Sequence, residues 1–93
     1  MNTSPDTDSY TSTVTAGPGG AMTDEAGVIT GDLTVRTTLT EDGRRACVTV
    51  QYTDADEWYT LTGSPAPITE GGLAAYHRDV LGRIRRGQGA MAT

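Results

Sequence analysis

The sequence predicts an α+β fold: a three-stranded antiparallel β-meander with one C-terminal helix packed on one face, in the order β-β-β-α, behind a disordered N-terminal tail. Three observations carry this. Leu33, Val35, Thr37 and Leu39 alternate with Thr34, Arg36, Thr38 and Thr40, the period of a strand with one buried face. Asp42-Gly43 stands between two such alternating runs, the strongest short-range signal for a hairpin. From Leu73 onward the apolar side chains Leu73, Tyr76, Val80, Leu81 and Ile84 recur at helical spacing.

Taken in chain order, residues 1–26 hold only scattered apolar side chains (Tyr10, Val14, Met22) among Ser, Thr, Pro, Gly, Asp and Glu. Ordering a backbone costs about 1 to 2 kcal/mol per residue, and so sparse an apolar content does not offset it. An acidic disordered tail is therefore expected, with Asp6, Asp8, Asp24 and Glu25 unopposed by any Arg. Residues 27–87 form the single domain. Val28-Ile29 extends the first strand backwards, with Gly31 at a bulge or bend.

A type I′ turn with Asp42 and Gly43 central sets the register: Glu41 faces Arg44, Leu39 faces Ala46, Thr37 faces Val48, Val35 faces Val50 and Leu33 faces Tyr52. Every partner of an apolar residue is then apolar or Thr, so turn chemistry and hydrophobic pattern agree independently. The second strand runs to about Thr53. Asp54-Ala55-Asp56-Glu57 reverses the chain and sets Thr53 against Trp58, Tyr52 against Tyr59 and Val50 against Leu61. Gly63-Ser64-Pro65-Ala66-Pro67 reads as a connector, because proline cannot donate to a ladder. Thr69 is the expected N-cap, with Glu70 suited to the positive helix start. Gly82 costs the helix about 1 kcal/mol relative to Ala, Gly87 is the expected stop, and residues 88–93 read as a frayed C-terminus.

Length and composition bound the function. Ninety-three residues, 9.7 kDa and 35% hydrophobic side chains leave room for one small domain. A net charge of −5 and a pI near 4.5 argue against a general nucleic-acid binder. A single cysteine, Cys47, fits a reducing compartment. The first 30 residues show no secretory pattern and no run reaches the roughly 20 apolar residues of a membrane span. A cytoplasmic protein without membrane association is expected.

Parity places Thr34, Arg36, Thr38, Cys47, Thr49, Gln51, Trp58, Thr60 and Thr62 on the face opposite the helix. Trp58 is the residue there that does not suit solvent, since large aromatics are enriched at interface cores. Trp58, Arg36, Gln51 and Thr60 are therefore the candidate partner-binding residues, for a protein partner or a homodimer. Set against this, Trp58 can simply cover neighbouring Thr and Gln stems. The helix is the basic region: Arg78, Arg83, Arg85 and Arg86 outweigh Glu70 and Asp79 to give residues 70–93 a net +2, while residues 1–69 carry −7. These four arginines are candidate contacts for nucleic acid or an acidic partner. They equally suit the negative helix C-terminus, and Asp79 can pair with Arg83.

No catalytic constellation emerges. Cys47 and His77 are the available nucleophile and base, but the register separates them by the thickness of the sheet. His77 falls in the helix's apolar arc and reads as a core histidine satisfied by a tyrosine hydroxyl or a backbone carbonyl. Asp54, Asp56 and Glu57 gather carboxylates at one turn without an EF-hand frame, and no Cys/His spacing resembles a zinc site. No metal and no cofactor is expected.

The stretch Asp54-Ala55-Asp56-Glu57-Trp58-Tyr59-Thr60-Leu61-Thr62-Gly63-Ser64-Pro65, followed by a short Leu-, Val- and Arg-rich helix, resembles small uncharacterised proteins of actinomycete type. The resemblance spans roughly Leu33 to Arg86, implies no activity and carries over no functional residue. The leading expectation is a non-catalytic domain that binds another protein or itself through the Trp58 face or an exposed strand edge. The alternative is a regulator touching nucleic acid through the Arg-rich helix.

Overall fold

The computed structural model describes residues 9–68 and 70–93. The chain forms β1 (Ser9–Thr15), β2 (Ala21–Thr23), β3 (Gly27–Ile29), β4 (Asp32–Leu39), β5 (Arg45–Tyr52), β6 (Tyr59–Thr60), β7 (Ala66–Pro67) and α1 (Gly72–Arg86). The α+β class and the C-terminal helix are as the sequence predicts. The sheet is larger than a three-stranded meander: five strands in the order β1-β4-β5-β6, with β7 also on β5, plus a second sheet of β2 and β3. Among the described residues no helix is long and apolar enough to cross a membrane.

The central hairpin has the expected register, with Leu33, Val35, Thr37 and Leu39 opposite Tyr52, Val50, Val48 and Ala46. Its turn differs. Gly43 takes a positive φ of 74° but Asp42 does not, so the loop is not type I′. Instead, Gly43 N–H closes on Thr40 O at 2.9 Å, and Asp42 Oδ1 accepts from Thr40 Oγ1 at 2.6 Å and Arg44 N–H at 3.0 Å. Those two bonds hold the Asp42 carboxyl below its usual range. A carboxylate thus does what a second left-handed residue does in a type I′ turn.

β6 pairs two residues out of the expected register, with Tyr59 opposite Val50 and Thr60 opposite Thr49. A slip of two keeps every side chain on its predicted face. The following segment is not a plain connector, because Ala66–Pro67 pairs with Ala46 and Arg45. Ser64 Oγ bridges the gap by accepting Val48 N–H at 2.8 Å. Ile68 N–H reaches Arg44 O at 3.4 Å, which leaves Pro67 at the alternate position where no donor is required.

The largest departure concerns residues 9–26, read from the sequence as disordered. Residues 1–8 lie outside the described residues. Ser9–Thr15 lies antiparallel to β4, with Tyr10 opposite Thr37 and Val14 opposite Leu33. Val28-Ile29 does not prolong β4 but pairs with Met22 and Ala21. This hairpin closes the free side of β6, through a Thr23–Leu61 bridge and bonds from Asp24 N–H to Thr60 O and from Thr62 N–H to Met22 O. Backbone hydrogen bonds and two buried apolar side chains, Val14 and Ala21, stand in for the apolar bulk the segment lacks.

The C-terminus is likewise built in. Ala90 and Ala92 are buried, Met22 N–H donates to Ala90 O at 2.9 Å and Ala92 N–H to Thr62 O at 2.8 Å, and Tyr76 Oη donates to Ala92 O at 2.6 Å. The loop Gly17-Pro18-Gly19-Gly20 is the other half of this lock. Gly17 N–H donates to Ile84 O, and Pro18 O accepts Gln88 N–H at 2.7 Å. The backbones touch: a Cβ on Gly87 falls 2.1 Å from Pro18 O, and one on Gly17 falls 2.2 Å from Arg85 O. Gly87 ends the helix as predicted, at φ 82°.

The helix begins at Gly72 with Gly71 as N-cap and no side-chain cap, while Thr69, the expected cap, lies outside the described residues. Leu73, Tyr76, His77, Val80, Leu81 and Ile84 are its buried residues, and they meet Leu33, Val35, Val48 and Val50 of the sheet in one core. The helix lies over β1 and β4, so Tyr52, at the far end of β5, is 42% exposed despite its parity. Gly82 sits in this helix with room for a Cβ, which would meet only Arg86 Nη1 at 3.7 Å, an ordinary van der Waals contact. Gly82→Ala is expected to stabilise the fold by about 0.5 to 1 kcal/mol, read as a rise of about 3 to 6 °C in Tm; a lower Tm contradicts the open geometry.

Candidate functional site

The alternation of β4 and β5 puts Thr38 opposite Cys47, Arg36 opposite Thr49 and Thr34 opposite Gln51 on the face turned away from the helix. β1 adds Thr11, Thr13 and Thr15, exposed on the same side. The register of β6, carried one residue further, sets Trp58 level with Gln51. The result is a sheet face rich in threonine, with Trp58 and Arg36 near its middle.

Arg36 and Trp58 meet there. The Arg36 guanidinium lies over the Trp58 ring, 4.4 Å from its centroid. Trp58 is half-buried and Arg36 is exposed, so the ring's buried side is supplied by the sheet and the arginine while its donors stay in solvent. Such a stack contributes about 0.5 to 1 kcal/mol at an exposed site. It also orients a guanidinium that makes no ion pair among the described residues.

Thr60 is different from the other three candidates. Its N–H donates to Glu25 Oε1 at 2.6 Å and its hydroxyl to Glu25 Oε2 at 2.8 Å. Those bonds hold the Glu25 carboxyl below its ordinary range, and the neighbouring Thr62 hydroxyl donates to Asp24 at 2.9 Å. Thr60 is therefore consumed in fastening the β2–β3 connection to the sheet, and Trp58, Arg36 and Gln51 remain on the open face.

The arginines of the helix do not act as one group. Arg83 pairs with Asp79 at 2.9 Å, as the i,i+4 spacing anticipates, and also donates to Met91 O at 3.1 Å. Arg85 lines a cleft of about 470 Å³ at the end of the sheet with Thr13, Val14, Thr15, Asp32 and Thr53. Arg78 and Arg86 are exposed.

His77 is a core histidine, as expected, but its partners are not the expected ones. Nδ1 is 2.7 Å from Thr37 Oγ1 and Nε2 is 2.9 Å from Ser12 Oγ. Tyr10 contributes its ring rather than its hydroxyl, stacked at 5.7 Å and 26°. One hydroxyl donates to the bare nitrogen and the other accepts from the protonated one. Burial pushes the imidazole below its ordinary value of 6.5. The trio has nucleophile-to-base spacing, yet Thr37 is fully buried and His77 is 5% exposed, and it pins β1 to α1 and β4. Polar Thr37 on the buried parity and His77 in the buried arc were the readable halves of this network; Ser12 was hidden in the segment read as disordered. Cys47 lies opposite Thr38 on the other face.

Compared with family models, curated proteins and solved structures, the chain shows no match. Among the described residues no three His, Cys, Asp or Glu side chains are grouped to hold a metal ion.

Proposed function

We propose that the protein is a non-catalytic binding domain that docks on another protein through the open face of its sheet, anchored by Trp58 and Arg36. The observation that supports this reading is the Arg36–Trp58 stack on the face of the sheet turned away from the helix. A stacked guanidinium is pre-organised, so little side-chain entropy is lost when its donors engage a carboxylate. Trp and Arg are also the residue types most enriched among binding hot spots. The partner is a protein presenting a carboxylate to Arg36 and an apolar side chain to the exposed part of Trp58, with Gln51 offering an amide beside them. The nucleic-acid reading loses ground because Arg83 is engaged by Asp79 and Met91 and phosphate binding needs a concentrated patch.

Affinity capture from a native-type lysate, comparing wild type with Trp58→Ala and Arg36→Ala at equal folded fraction, tests the reading. Each substitution is expected to weaken retention of one protein by about 2 kcal/mol, or roughly thirtyfold. Equal retention by all three chains excludes the open face.

A further inference from the structure

Among the described residues β1 is an edge strand with no neighbour on its outer side. The bond from Ala16 N–H to Gly31 O at 3.0 Å fixes the phase of the β1–β4 ladder. By alternation, residues 10, 12 and 14 direct their backbone groups toward β4, and Ser9, Thr11, Thr13 and Thr15 direct theirs outward. None of these outward groups finds a backbone partner among the described residues.

The contrast with the opposite side of the sheet is informative. There the edge is broken into two-residue strands, interrupted by Pro65 and Pro67, capped by Ser64 and covered by β2, Asp24 and Glu25. Those are the usual protections against unwanted pairing. Among the described residues β1 has none of them: Ser-Tyr-Thr-Ser-Thr-Val-Thr is seven residues long, with no charge, proline or glycine.

We propose that the β1 edge is a self-association site, at which a second copy of this chain pairs antiparallel about a two-fold axis through Ser12. In that register Thr11 faces Thr13 of the partner subunit, Tyr10 faces Val14 of the partner subunit, and Ser12 faces its own counterpart. Every outward backbone group is then satisfied. The strand's near-palindromic pattern makes the pairing self-complementary. Thr meets Thr on the open face, and Tyr meets Val on the helix side, where non-hydrogen-bonded pairs bring side chains closest. No like charges within the strand are opposed, despite the net charge of −5. The sheet becomes continuous across both copies, and Trp58, at the other side of each sheet, stays free for its own contact.

Sedimentation equilibrium across a concentration series tests the proposal on wild type, Thr13→Pro and the double variant Thr11→Lys/Thr13→Lys. Proline at position 13 removes an outward N–H without touching the β1–β4 ladder, and the lysines place like charges across the two-fold axis. Wild type is expected to dimerise reversibly and both variants to remain monomeric, with unchanged far-UV circular dichroism. In a mixed-isotope dimer, contacts between the Tyr10 ring and Val14 methyls of the partner subunit give the register. A monomeric wild type overturns the proposal, as do variants that dimerise as well as wild type. Trp58→Ala leaves the dimer intact, so loss of partner capture and loss of dimer are separable results.

Discussion

Truncation after Gly87 is expected to unfold the protein. The six residues removed have the sequence of a frayed end, yet they thread between the Gly17–Gly20 loop, β2 and Thr62. Their loss strips partners from Pro18 O, Gly19 O, Gly20 O, Met22 N–H and Thr62 O, at about 1 kcal/mol each. It also leaves the Tyr76 hydroxyl, on a side chain 1% exposed, without its acceptor, at a further cost of about 1 to 3 kcal/mol, and opens the core where Ala90 and Ala92 were. That total rivals the entire stability of a small domain, about 5 to 15 kcal/mol. Urea denaturation followed by circular dichroism measures it. Met91→Ala is the control, since Met91 is 41% exposed and its side chain contributes little. A truncated chain with a native midpoint contradicts the lock between the C-terminus and the glycine loop.

That lock explains where the sequence misleads. β4, β5 and α1 announce themselves because their apolar residues recur with period 2 or 3.6, so burial can be read from spacing alone. Even with β6 displaced by two residues, Tyr59 and Leu61 keep their side of the sheet, and Trp58 and Arg36 share the open face as parity requires. The N-terminal strand and the C-terminal segment are held chiefly by backbone hydrogen bonds and by glycines that let backbones touch. Composition carries no trace of such contacts. Gly17, Pro18, Gly19 and Gly20 look like a linker, and their close approach to Arg85 and Gln88 becomes visible only in three dimensions. The same blindness hid half of the His77 network, because Ser12 is an ordinary polar residue until Val14 and Tyr10 are seen to share its face.

His77→Ala is expected to cost about 3 kcal/mol, combining a lost buried ring with a fully buried Thr37 hydroxyl left unpaired. Because Ser12 and Tyr10 also lose their partner, the loss falls most heavily on β1, and amide exchange there rises before it does in β5. Wild-type stability carries a matching pH signature. The imidazole is pushed below 6.5 by burial, so the unfolded chain binds the proton more tightly than the folded one. Stability is then full above pH 6.5 and declines as pH falls from there toward the lower folded value. Glu25 and Asp42 behave as ordinary depressed carboxylates: their stabilisation is present above 4.5 and 3.8 and is lost only at lower pH. A decline that begins near pH 6.5 therefore belongs to His77 and should vanish in His77→Ala. If the variant keeps that slope, another group is responsible.

Whether partner binding runs through the open face is tested by a photo-crosslinking side chain placed in turn at Gln51, level with Trp58, and at Arg78, on the helix. An adduct with one partner protein is expected from position 51, lost when Trp58→Ala is added, and none from position 78. Adducts from position 78 alone, or a position-51 adduct indifferent to Trp58→Ala, contradict it.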